Sequence, residues 1–79
     1  MTNHKMIRLN FETAEEFVRT AANCDFDIDV ANSSRQSYIV DAKSLLGVLG
    51  LDMRSPLKVS YNGYNEEFEK FLKSNAAVA

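Results

Sequence analysis

An α+β domain built on a single sheet is the architecture this sequence predicts, and three observations predict it. Along the 79 residues the apolar pattern switches repeatedly between periods of two and about 3.6. The segments so marked run in the order β-α-β-β-α-β-α. One turn-rich stretch, Asn32-Ser33-Ser34-Arg35-Gln36, separates two strands with no helix between them, which marks a hairpin. Helix–strand alternation with one hairpin predicts an antiparallel or mixed sheet with its helices on one face and a polar opposite face.

Residues 5–11, Lys-Met-Ile-Arg-Leu-Asn-Phe, alternate after Met6. They predict a first strand with Ile7, Leu9 and Phe11 turned inward. Thr13-Ala14-Glu15-Glu16 has the form of a capping box and opens a helix over about 13–23. Ala14, Phe17, Val18, Ala21 and Ala22 make its apolar stripe. Asp25-Phe26-Asp27-Ile28-Asp29-Val30 alternates cleanly and predicts a second strand, with Phe26, Ile28 and Val30 inward and three aspartates in solvent. Residues 37–41 form its hairpin partner. A short helix follows over about 44–51. Beyond Pro56, Leu57, Val59 and Tyr61 share one face of a fourth strand over 57–61. Asn62-Gly63 is a turn signal and Asn65 caps a last helix, whose stripe is Phe68, Phe71 and Leu72. Glu66 with Lys70 and Glu69 with Lys73 have the i, i+4 spacing of helix ion pairs. The polar sheet face falls to Arg8, Asn10, the aspartates, Lys58 and Ser60.

Length and charge narrow the function classes. The chain makes one domain, 1–79, with a tail over 75–79 expected to fray. Eight phenylalanine and tyrosine residues, five and three, anchor a core that has no tryptophan. A net charge of −2 and a pI near 5.2, without any lysine–arginine stripe, give no footprint for nucleic acid. The single cysteine, Cys24, sits among apolar residues and reads as a small buried hydrophobe. One free thiol and no recognisable signal peptide fit a reducing cytoplasm. No apolar run approaches the ~20 residues that span a bilayer.

The densest information lies in Asp41-Ala42-Lys43-Ser44-Leu45-Leu46-Gly47-Val48-Leu49-Gly50-Leu51. Ser44 stands where a helix N-cap accepts from orphan N–H groups. The same helix start favours a phosphoryl group on that hydroxyl. Cap and phosphorylation switch are both compatible with the residues. Leu45, Leu46, Val48, Leu49 and Leu51 exceed one buried stripe, so part of the set faces solvent or lies under a loop. Gly47 between them permits a close approach of another surface. Lys43 either steers a phosphate or sits in solvent. Asp25, Asp27 and Asp29 lie about 6.8 Å apart along a strand, too spread for one cation, and read as a solvated face. The lone histidine, His4, reads as a surface residue near the chain start. No phosphate loop, Ser/His/Asp set or Cys/His cluster is present.

With these segments in view, the chain resembles the HPr family, the small phosphocarriers of the bacterial sugar phosphotransferase system. The element order matches over residues 4–74. The serine segment carries the likeness: Lys43-Ser44, two large apolar residues, Gly47, then Val48 and Leu49. The resemblance implies an open-faced β-sandwich with a four-stranded antiparallel sheet in the order 1-4-2-3 and three helices on one face. It implies a regulatory serine at Ser44 and a docking patch at Leu46 and Leu49, to which the residues add Lys43 and Gly47 as partner-binding candidates. No cofactor and no metal are expected from the residues.

The chain departs from the family at the head of its first helix. A phosphocarrier needs a histidine there, followed by arginine and proline, because phosphoryl transfer needs a nucleophilic nitrogen and donors for the phosphate oxygens. Residues 10–14 are Asn-Phe-Glu-Thr-Ala. The expectation is therefore a Crh-like member without the phosphocarrier histidine. It would be a regulatory or adaptor protein with no catalytic residues, monomeric or weakly dimeric, meeting HPr kinase, phosphotransferase-system or regulatory proteins. Two alternatives stand beside it: a working phosphocarrier using His4 or another residue, and an interaction module outside that system.

Overall fold

The computed structural model describes residues 2–34 and 38–77. Seven elements follow the expected order: β1 (Asn3–Ile7), α1 (Phe11–Ala22), β2 (Ile28–Asn32), β3 (Ile39–Asp41), α2 (Leu45–Leu49), β4 (Leu57–Tyr61) and α3 (Glu66–Ser74). The strands form one sheet in the order β1-β4-β2-β3, all pairs antiparallel. This is the arrangement that the resemblance implied.

Alternation sets the two faces of the sheet. Leu57, Val59 and Tyr61 of β4 are buried under the helices with Ile7, Ile28 and Val30. Register then assigns the open face: Lys58 and Ser60 lie beside Met6 and His4 of β1 on one side, and beside Ala31 and Asp29 of β2 on the other. Asp29 stands opposite Asp41 of β3, and Ala31 opposite Ile39. Arg8 and Asn10, expected on this face, lie beyond the end of β1, and His4 and Met6 take their places.

The core lies between sheet and helices. Phe17 of α1 packs its ring 6.1 Å from Phe68 and 5.8 Å from Phe71 of α3. Tyr61 meets Phe68 edge-on at 5.2 Å and stacks on half-buried Phe26 at 5.9 Å. Cys24 is buried in the same cluster, and desolvation pushes its thiol up, away from thiolate.

Three boundaries differ from the sequence reading. The first strand stops at Ile7 rather than Phe11, because Asn10 opens the helix. The Asn10 side chain accepts from the Thr13 N–H at 2.9 Å, and Thr13 Oγ1 accepts from the Asn10 N–H at 2.8 Å. This reciprocal box starts α1 three residues before the predicted cap and leaves Phe11 75% exposed instead of inward. β2 begins at Ile28 rather than Asp25, since its partner β4 ends at Tyr61, the residue opposite Ile28. Of the predicted third strand, Ser37 lies outside the described residues.

Two further expectations are corrected. Lys70 pairs with Glu67 at 3.7 Å, not with Glu66, and Glu69 turns inward to accept from the Tyr61 hydroxyl at 2.5 Å. The tail expected to fray from Asn75 is tied back as far as Ala77. The Arg8 N–H donates to the Asn75 carbonyl and the Ala77 N–H to the Met6 carbonyl, each at 2.9 Å, along the outer edge of β1.

Candidate functional site

Two bonds fix the direction of α2. The Lys43 ammonium, just before α2, donates to the Cys24 carbonyl beyond the end of α1 at 3.0 Å. The Arg8 guanidinium, just before α1, donates to the Arg54 carbonyl beyond α2 at 3.3 Å. The short helix therefore runs antiparallel to α1, with its exit beside the head of α1. Ser44 caps α2, its hydroxyl accepting from the Gly47 N–H at 3.2 Å.

Gly47 has a structural reason to lack a side chain. A Cβ there would sit 3.2 Å from Val40 Cβ and 3.3 Å from Ser44 Oγ. The glycine lets α2 lie close on β3. This differs from the sequence reading, in which the space served an incoming partner. Val48 is fully buried and Leu51 is buried, so these two belong to the core. Leu49 is half-buried against it.

Helical spacing then distributes the rest. Gly47 occupies the flank of α2 on β3, which sets Leu45 and Leu49 toward α1 and Leu46 to the top. Leu46 is 86% exposed and Leu45 38%. On α1, Thr13, Glu16 and Thr20 line the groove against α3, so the opposite flank, with Phe11, Val18 and Ala22, turns toward α2. The outcome is a stretch of accessible apolar surface that runs from the head of α1 over α2. Glu12, Glu15 and Arg19 border it, Arg19 lying 3.8 Å from Glu15 in an exposed pair.

The predicted residues fall into distinct places. Ser44 and Leu46 are exposed, and Leu49 is half-buried against the core. Lys43 does not present its charge on this surface: the side chain is half-buried, with its ammonium on the Cys24 carbonyl. Phe11 joins the surface although its alternation with Ile7 and Leu9 pointed inward. The signal for it was the Asn10–Thr13 spacing, which sets the helix start. Tyr38, 56% exposed, adds an aromatic at the β3 side near Gly50.

The head of α1 holds no imidazole. The Asn10 side chain is engaged as a cap, and Glu12 follows in the first turn. His4 is on the open sheet face, its Nδ1 2.9 Å from Ser60 Oγ. Asp25, Asp27 and Asp29 are exposed, and among the described residues no acidic, histidine or cysteine group of three converges for a metal.

Sheet order, helix placement and the capped serine helix all agree with one known architecture. The chain has an HPr-like fold. It is similar to the crystal structure of a phosphocarrier protein HPr from Bacillus anthracis str. Ames, with a TM-score of 0.67, 19% sequence identity and 95% of each chain covered. No protein-family model and no curated protein matches the sequence. At that identity the HPr likeness shows the fold alone. Among the described residues no helix is long and apolar enough to cross a membrane.

Proposed function

We propose that this protein is a Crh-like regulatory or adaptor relative of the sugar phosphotransferase system. It binds protein partners through the Ser44–Leu51 segment, and phosphorylation of Ser44 controls that binding. The observation that carries the reading is Leu46. It projects 86% exposed two residues after the capping serine, itself exposed. A chain this small gains stability from each leucine it buries, so one held in water at the centre of an apolar surface fits recognition better than folding.

The charge of a phosphoryl group on Ser44 suits the start of α2, where the backbone amides and dipole favour an anion. It also places about two negative charges beside the apolar surface, which alters what that surface accepts. Phosphocarrier activity is not part of the proposal: the head of α1 offers Asn10 and Glu12 where a nucleophilic ring is needed, and His4 sits on the other side of the sheet. The proposed setting is cytoplasmic, with HPr kinase and phosphotransferase-system or regulatory proteins as partners and neither nucleic acid nor membrane.

The test is incubation with an HPr kinase and ATP, followed by intact mass and peptide mapping. A single phosphoryl group on Ser44, absent in Ser44→Ala, is the expected result; an unmodified chain removes the switch. Capture of phosphotransferase-system proteins by wild type but not by Leu46→Asp tests the docking surface separately. Incubation with phosphoenolpyruvate and enzyme I is expected to leave the chain unmodified.

A further inference from the structure

The bend between β4 and α3 contains the sequence Asn62-Gly63, and both chemical groups of that pair are free. Asn62 is exposed. Among the described residues no hydrogen bond engages its carboxamide or the Gly63 N–H. Each of the other six asparagines is held by its side chain or by the backbone next to it. The side chains of Asn10, Asn32, Asn65 and Asn75 are bonded, to Thr13, Asp52, Phe68 and Phe71 respectively. The N–H after Asn75 donates to Lys73, and the N–H of Cys24, after Asn23, donates to Ala21. Asn3 lies in the β1–β4 ladder opposite Tyr61.

We propose that Asn62 is a site of spontaneous modification, converting to aspartate and isoaspartate in the folded protein. The Gly63 amide nitrogen, on losing its proton to solvent base, attacks Asn62 Cγ. The new C–N bond closes a succinimide, the Cγ–Nδ2 bond breaks, and ammonia leaves. Water then opens the ring at either carbonyl. One opening gives aspartate. The other gives isoaspartate, whose backbone passes through the former side chain and is longer by one methylene. Water is the only co-reactant. Glycine at the following position leaves the attacking nitrogen unshielded, and asparagine belongs to the thermally labile residues for this reason.

The structure also explains why the labile pair has no simple replacement at its second position. A Cβ on Gly63 would run into the ring of Phe26, itself stacked on Tyr61. Close packing therefore demands glycine after Asn62. The added backbone length falls between Tyr61, bonded to Glu69, and Asn65, the cap of α3. Isoaspartate at this bend is expected to loosen the seat of α3 on β4.

The experiment ages the full chain at mildly alkaline pH and maps asparagine, aspartate and isoaspartate by peptide mass spectrometry and isoaspartyl methyltransferase labelling. Conversion at position 62 ahead of every other asparagine, faster as pH rises, and lost in Asn62→Ser, is expected. Hydrogen exchange should show lowered protection of α3 in the isoaspartyl fraction only. An intact amide at Asn62 while the same peptide converts when unfolded would overturn the proposal. Conversion spread evenly over all asparagines would do so as well.

Discussion

The ammonium of Lys43 and the backbone carbonyl of Cys24 meet at 3.0 Å, joining the entrance of α2 to the exit of α1. A cation at a helix C-terminus satisfies an orphan carbonyl and opposes the negative end of the dipole. Lys43→Met keeps the stem and removes the charge. It is expected to cost about 1–2 kcal/mol in denaturant unfolding, the range for a partly exposed charge-assisted hydrogen bond. Faster hydrogen exchange at the Cys24 amide, which bonds to Ala21, should accompany the loss. Unchanged stability would mean that the contact contributes nothing.

Leu46 and Val48 are two residues apart and behave as opposites. Leu46→Asp, on the exposed side, is expected to change stability by less than about 0.5 kcal/mol. Val48→Ala, at a fully buried site, is expected to cost about 2 kcal/mol. Thermal or denaturant unfolding of the pair decides between them. A large loss from Leu46→Asp would show that the leucine belongs to the core.

The bond from the Tyr61 hydroxyl to Glu69 gives a pH signature. Burial first, and then the bond to Glu69, push the tyrosine hydroxyl's proton affinity well above that of a free phenol. A folded value raised above the unfolded one means that stability is fully present below the unfolded phenol's range and is lost as pH rises from about 10 through the folded value. The Tyr61→Phe variant should lose about 1 kcal/mol near neutral pH and show a shallower decline above pH of about 10. Parallel alkaline unfolding curves for variant and wild type would contradict this.

Asp29 and Asp41 face each other across the β2–β3 pair on the open side of the sheet. Like charges at directly opposed positions are unfavourable. Asp29→Lys is expected to raise stability by roughly 0.5 kcal/mol at low salt, with the gain shrinking as ionic strength rises. Equal stability at low and high salt would rule out the electrostatic account.

Ser44 separates cap from switch. Ser44→Ala should lose about 1 kcal/mol, whereas Ser44→Asp, which still caps, should stay near wild type. Unfolding midpoints measure both. The Asp variant thus isolates the effect of charge on partner capture without a stability penalty.

What was legible in the sequence was whatever depended on near neighbours. β4 and α3 were placed closely because alternation, Pro56 and the Asn65 cap are all local signals. Ser44 was identified as a cap for the same reason. The head of α1 is ambiguous in sequence because two boxes overlap, and Asn10–Thr13 closes one while Thr13–Glu16 only resembles one. The site was partly hidden because its geometry is long-range. Lys43 turns away from solvent toward a carbonyl 19 residues earlier. Gly47 is small for the sake of Val40, and Glu69 leaves Lys73 for Tyr61. No spacing rule along the chain encodes these encounters.

The stitching of Asn75–Ala77 along β1 has a consequence for self-association. A sheet with two bare flanks offers its backbone to neighbours on both sides and can grow without limit. Here the tail bonds to the Met6–Arg8 end of one flank, so a neighbouring strand finds less open backbone on that side. Trimming the last few residues would bare that stretch and lengthen the edge open to pairing.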